Sequence, residues 1–143
     1  MYEIKKIQNA DFERIKSFLG EVPDLTDFDD DVLKNALILF KNDKIEGVIS
    51  YEHFFNYALI RYFVFKRSVE DIVIKELFTA LEESITDQTI EYIFSLVNNN
   101  DVYKLFSMLG FVEANKEDVF VEEVSFENPK FKDTKLMIKR VKN

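Results

Sequence analysis

Apolar residues recur along this chain with two different periods, and the places where the period changes mark out its elements. The densest apolar run, Tyr57 to Phe65, is interrupted only by Arg61, which predicts a central strand covered on both faces. It leads straight into Val69, Ile72, Val73, Leu77, Phe78, Leu81 and Ile85, spaced three and four apart, as on one face of an amphipathic helix. Ser68 stands before this helix as its N-cap, and Asp71 can reach back as in a capping box. A strand feeding a helix N-terminus is a common place to hold a phosphate.

The same reading extends to both sides. Tyr2 to Gln8 alternates around Ile4 and predicts a first strand. Asn9 caps a helix from Ala10 to Leu19, with Gly20 at its C-terminal cap. A short helix is expected to start near Asp29. Ala36 to Lys41, Gly47 to Phe55 and Tyr57 to Phe65 follow as strands, joined at Asn42-Asp43-Lys44 and at Asn56, which predicts an antiparallel meander. Beyond the long helix, Ile90 to Val97 reads as a strand and Asp101 to Leu109 as a helix stopped by Gly110. Phe111 to Ala114, Val119 to Phe126 and Lys135 to Val141 read as late strands. The predicted architecture is a single α+β domain over residues 1–143. Its mixed, mostly antiparallel sheet has helices on both faces, and a crossover helix joins a parallel pair, Tyr57 to Phe65 and Ile90 to Val97.

Charge and composition narrow the functions available. The formal net charge is −8, which argues against a nucleic-acid backbone and against an anionic membrane surface as partners. No cysteine is present, so thiol catalysis, disulfides and Cys-ligated metals are excluded, and one histidine makes any metal site improbable. MYEIKKIQ lacks the apolar segment of a signal peptide, and no apolar run approaches the roughly 20 residues that span a bilayer. A cytoplasmic protein is expected. The 15 Phe and 6 Tyr supply a sizeable core and leave aromatic surface for a homodimer.

The stretch Asn99 to Phe111, NNDVYKLFSMLGF, resembles a segment of the GNAT superfamily of acyl-CoA-dependent N-acetyltransferases, in which Asn begins a helix that ends in Leu-Gly-Phe. Leu109, Gly110 and Phe111 match outright, Asn99 falls on the family Asn, and the order of elements matches over essentially the whole chain. The resemblance implies acetyl-CoA or another acyl-CoA as co-substrate and an amine as acceptor. It implies that the backbone at Val64 and Phe65 meets the co-substrate and that Asn99 reaches its pantetheine arm; Lys66 and Arg67, just before the turn, can bind a phosphate by side chain alone as a weaker substitute. The chain departs from the family pattern at two places. In the phosphate loop the Arg position falls on Val69 and the two Gly positions on Ile72 and Ile74, and no glycine lies between Gly47 and Gly110. The Tyr that commonly protonates the leaving thiolate is Phe106 here. Tyr103 lies one turn earlier and points about 60° away.

Three residues can be weighed for proton transfer. His53, the only histidine, titrates near neutrality when unperturbed and can accept an ammonium proton. Glu52 points to the opposite face of the same strand, and Tyr103 carries a phenol. The segment Glu21 to Asp31 holds six acids and no base; it reads as a solvated loop or, where the resemblance places the acceptor entrance, as an attraction for a cationic amine. Two functions stay open: acyl transfer from acyl-CoA to an amine, and a catalytically inactive binding module of the same fold that has lost tight CoA binding.

Overall fold

A computed structural model describes residues 1–22, 28–85, 89–115, 120–121, 124–125 and 134–141. In chain order the elements are β1 (Tyr2–Lys6), a 3-10 turn (Asn9–Asp11), α1 (Phe12–Leu19), α2 (Asp30–Leu33), β2 (Leu37–Lys41), β3 (Lys44–Phe54), β4 (Tyr57–Phe65), α3 (Asp71–Ser84), β5 (Tyr92–Val97), α4 (Asn100–Met108), β6 (Val112–Ala114), β7 (Phe120–Val121), β8 (Val124–Ser125) and β9 (Lys135–Arg140). Seven strands form one sheet in the order β1-β2-β3-β4-β5-β9-β6, and β7 pairs with β8. The pair β4 and β5 is parallel, with Tyr57 opposite Tyr92 and Leu59 opposite Phe94. The mixed sheet with its parallel pair is the architecture expected. The chain falls into two compact units, Met1–Glu52 with Arg61–Ser84, and His53–Ile60 with Ile85–Asn143.

In the first unit, β1 pairs antiparallel with β2, and β2 with β3. Asn42 and Asp43 both have positive φ, 51° and 67°, as a mirror-image two-residue hairpin turn requires of residues that tolerate the left-handed region. The β2–β3 register shifts between Leu39 and Phe40, passing from Leu39↔Gly47 to Phe40↔Ile45 and leaving Glu46 as the extra residue of a bulge. At Gly47 an added Cβ would stand 3.1 Å from the Cβ of Phe65, so glycine lets two strands approach closely. Leu37 to Phe40 are all buried. Ile38 and Phe40 pack with Ile15 and Leu19 of α1, and α3 packs against the same strand.

Two boundaries differ from expectation. The helix expected from Ala10, with Asn9 as its cap, begins instead as a 3-10 turn that takes in Asn9, with the Asp11 carboxylate accepting the Gln8 N–H at 2.8 Å. Ser68 is not the cap of α3. The Glu70 carbonyl accepts from Val73 N–H and Ile74 N–H, so the helix starts at Asp71 and Ser68 belongs to the turn before it. The two-residue delay changes the face. Val69 is buried from the turn, Ile72 is 62% exposed, and Ile74 takes the buried position at 3% exposure. Ile74, Leu77, Phe78 and Leu81 keep the three-and-four spacing; the step from Val69 to Ile72 is not helical.

The second unit is built on β5, β9 and β6. β9 lies between the other two, antiparallel to both. Tyr57 stacks on Phe94 at a ring-centroid distance of 4.6 Å and on Tyr92 at 5.6 Å. Asn99 caps α4, its side-chain oxygen accepting the Val102 N–H at 2.9 Å. At the other end Gly110 adopts φ 99°, the Phe111 N–H returns to the Phe106 carbonyl at 3.0 Å, and the Lys139 ammonium donates to the Leu109 carbonyl at 2.8 Å. The reading of Val119 to Phe126 as one strand lies partly outside the described residues, which place β7 and β8 within it as an antiparallel pair.

Candidate active site

The turn between β4 and α3 is where the sequence directs attention, and its chemistry follows from which side chains are already engaged. The Lys66 N–H donates to the Glu46 carbonyl at 2.8 Å, and its ammonium lies 3.2 Å from the Glu46 carboxylate. The bulge at Glu46 therefore engages Lys66 through both backbone and side chain. Arg67 is exposed and forms no ion pair among the described residues, so it is the better available of the two cations. Glu70 and Asp71 are exposed at the start of α3, where carboxylates complement the helix dipole and oppose an incoming anion. The Ile72 side chain projects into solvent beside them. Ile74 points inward, so of the two residues at the family's glycine positions only Ile72 presents its side chain at the turn. Val64 is half-buried against the core of the first unit, and Phe65 meets Phe63 edge-on at 5.5 Å.

Upstream on β4 the backbone is irregular. Tyr62 has φ 55°, which is a genuine outlier for a bulky residue within a strand. Its hydroxyl accepts the Asp29 N–H at 3.0 Å, its ring lies 6.5 Å from that of Phe28, and the Arg61 guanidinium sits 5.3 Å from its centroid. Arg61 in turn donates to the Glu52 carboxylate at 2.8 Å, a half-buried pair. Glu52 is thus engaged by a guanidinium, which weakens its case as a free base. In the acidic segment, Asp29 caps α2 by accepting the Asp31 N–H at 3.0 Å, Asp30 lies 2.9 Å from the Lys16 ammonium, and the exposed Asp31 carboxylate has no partner among the described residues. The hydrogen bond from Lys16 to Asp30, more than the Coulombic attraction of Asp30 and Glu13, raises the lysine pKa above its ordinary 10.5.

The other candidates belong to the second unit. His53 is exposed, its Nε2 3.3 Å from the Phe55 carbonyl; an Nε2–H donated there leaves Nδ1 as the basic nitrogen. Asn99 and Tyr103 line one small cavity of about 100 Å³ with Val97, Asn98, Asn100 and Lys135. The Lys135 ammonium lies 5.1 Å from the Tyr103 ring centroid, and the Tyr103 hydroxyl is 3.4 Å from the Glu113 carboxylate. Phe106 is buried, edge-on to Phe111 at 4.9 Å, so it serves packing. The structure therefore brings Asn99 and Tyr103 together and leaves His53 at the end of its own strand. Sequence reasoning missed Tyr62, Lys135 and Glu113. Their significance lies in partners 10 to 33 residues away, and nothing local in the sequence marks them.

No protein-family model matches the sequence, and no curated protein matches it. The fold has many counterparts among solved structures. N-acetylglutamate synthase from Neisseria gonorrhoeae, complexed with coenzyme A and N-acetyl-glutamate, superposes with a TM-score of 0.81 at 14% identity over 100% of this chain. The chain spans 36% of that protein. An acetyltransferase of the GNAT family from Staphylococcus aureus gives 0.76 at 16% identity, over 99% of this chain and 100% of that one. One from Streptococcus pneumoniae gives 0.70 at 20%, over 98% and 99%. The chain has the fold of the GNAT acetyltransferases. Among the described residues, no helix is long and apolar enough to cross a membrane.

Proposed function

We propose that this protein is an acetyltransferase that moves an acyl group from an acyl-CoA to an amine, with weak grip on the phosphate end of the co-substrate. The observation that carries the reading is the near-complete coverage of the chain by GNAT-family acetyltransferases of similar length, one of them at 99% and 100%. Two strand–helix pairs, β4–α3 and β5–α4, stand in it with their strands parallel.

The roles follow the chemistry. The amine nitrogen attacks the thioester carbonyl, the carbon–sulfur bond breaks, and the proton leaves the nitrogen as the thiolate gains one. Backbone N–H groups near Val64 and Phe65 would polarise the carbonyl. The Asn99 amide nitrogen, which donates to the Asn98 side-chain oxygen at 3.5 Å, would turn its second hydrogen to the pantetheine arm while its oxygen caps α4. Arg67, with Lys66 in support, would meet phosphate by side chain, because a turn without glycine and with Glu70, Asp71 and Ile72 at its mouth fits a pyrophosphate poorly. Asp31 would draw a cationic amine. Glu52 and Tyr103 already have partners, and His53, the candidate base that keeps one ring nitrogen free, stands at the Phe54 end of β3, the end away from Gly47 and its neighbour Phe65.

The test is acyl transfer from acetyl-CoA to a set of primary amines, read as release of free thiol above the rate without protein. Turnover supports the reading. Binding of acetyl-CoA with no turnover on any amine would favour a binding module, for which the buried Phe106 in place of a proton donor already speaks.

A further inference from the structure

Tyr62 is held by more contacts than packing requires. A bulky residue with φ 55° inside a strand persists only where its surroundings over-determine it. Here four groups do so. The Asp29 N–H donates to the phenol oxygen at 3.0 Å, Phe28 meets the ring at 6.5 Å, and the core of the first unit packs against both rings. Arg61 lies over the ring at 5.3 Å and is itself anchored on Glu52 at 2.8 Å. A positive φ at one residue turns the peptides that follow it, so the course of β4 from Phe63 to Phe65 depends on whether Tyr62 keeps this conformation. Without the clamp an extended φ is the lower-energy choice for tyrosine.

We propose that Tyr62 is a positioning residue: the Asp29–Tyr62 hydrogen bond, with the Glu52–Arg61 pair behind the ring, clamps a strained kink that aims the backbone of Phe63 to Phe65. This rests on the acyl-transfer reading, in which that backbone polarises the thioester. The clamp also ties the segment preceding α2 to β4, so whatever disturbs Asp29 is transmitted to the strand.

Tyr62→Phe removes the hydroxyl and keeps the ring; Tyr62→Gly removes the ring and accepts φ 55° freely. In the full chain, Tyr62→Phe is expected to lower turnover with acetyl-CoA and spermidine about three- to tenfold, the size of one lost neutral hydrogen bond. The dissociation constant for acetyl-CoA should stay within twofold. Amide exchange at Asp29 and at Phe63 to Phe65 should quicken together, and the backbone chemical shifts of residues 61–65 should move towards extended values. Tyr62→Gly should show faster exchange at Asp29 and the same residues, and a larger loss of turnover. Unchanged turnover in Tyr62→Phe, or faster exchange confined to Asp29, would overturn the proposal. If the native chain acylates no amine, the acyl-transfer reading fails on its own, and the exchange and shift pattern alone decides whether the clamp exists.

Discussion

The turn before α3 allows a worked test of how this chain handles the phosphates of a co-substrate. Glu70 and Asp71 are exposed at the helix start, and each carboxylate there opposes an incoming anion by about 0.3–1 kcal/mol. Replacing both with Gln and Asn should therefore tighten acetyl-CoA by about three- to thirtyfold. Adding Ile72→Gly removes the side chain that projects beside them and restores backbone approach, where each hydrogen bond to a charged group is worth about 1.5–3 kcal/mol. Ile74→Gly should not help, because its side chain is 3% exposed and faces the core; it should destabilise the fold. Calorimetric titration of the native chain and the variants with acetyl-CoA, at low and high salt, reads all of this. The native constant is expected on the order of 100 μM or weaker, and the gain from charge removal should shrink at high salt. Micromolar binding by the native chain, with no response to Glu70→Gln and Asp71→Asn, would refute the reasoning.

The remaining expectations concern the frame around the site. Leu77→Ala, fully buried on α3, should cost about 2–5 kcal/mol in urea unfolding, and Ile72→Ala less than about 1 kcal/mol; equal losses would mean that the buried face is wrongly assigned. Gly110→Ala, at φ 99° and with Lys139 Cε 3.1 Å from the added carbon, should cost about 1–3 kcal/mol, and an unchanged unfolding midpoint would contradict that backbone. The raised Lys16 pKa adds stability that is fully present below pH 10.5 and is lost as pH climbs through the higher folded value. Asp30→Asn should therefore lower stability at neutral pH, with the gap closing as pH rises above 10.5 and Lys16 loses its proton; a gap that persists unchanged into strong alkali would contradict the pairing.

What the sequence revealed was mostly what is decided within a few residues. Asn99 was readable as a cap because its partner, Val102, is three positions away. Gly110 was readable as a stop and Asn42-Asp43 as a turn, since in each the backbone demands a residue at home with positive φ. The parallel pairing of β4 with β5 followed from the helix between them. The start of α3 was misread because the apolar residues Val69 and Ile72 happen to lie three apart across a turn, and periodicity alone does not tell a turn from a helix. Glu52 looked like a free base until Arg61, nine residues on, met it across the strands. Lys66 looked like a phosphate ligand until the bulge at Glu46 engaged it. Tyr62 carried no sign at all, since its strain comes from packing against Phe28 and Asp29.

The place of β9 between β5 and β6 has a consequence for the order of folding. β6 comes before β9 in the chain, yet β9 is its sheet neighbour, and Lys139 of β9 also closes the end of α4. During synthesis, β6 must wait for residues 135–140 for its strand partner, and the Leu109 carbonyl for the Lys139 ammonium. Met1–Glu52 and Arg61–Ser84, by contrast, hold their own elements by residue 84. The β5–β9 pairing closes a far longer loop than the β2–β3 hairpin, and until β9 arrives β5 presents an open strand edge. Slow translation through residues 85–134 should therefore favour misassembly and chaperone capture in that half of the chain.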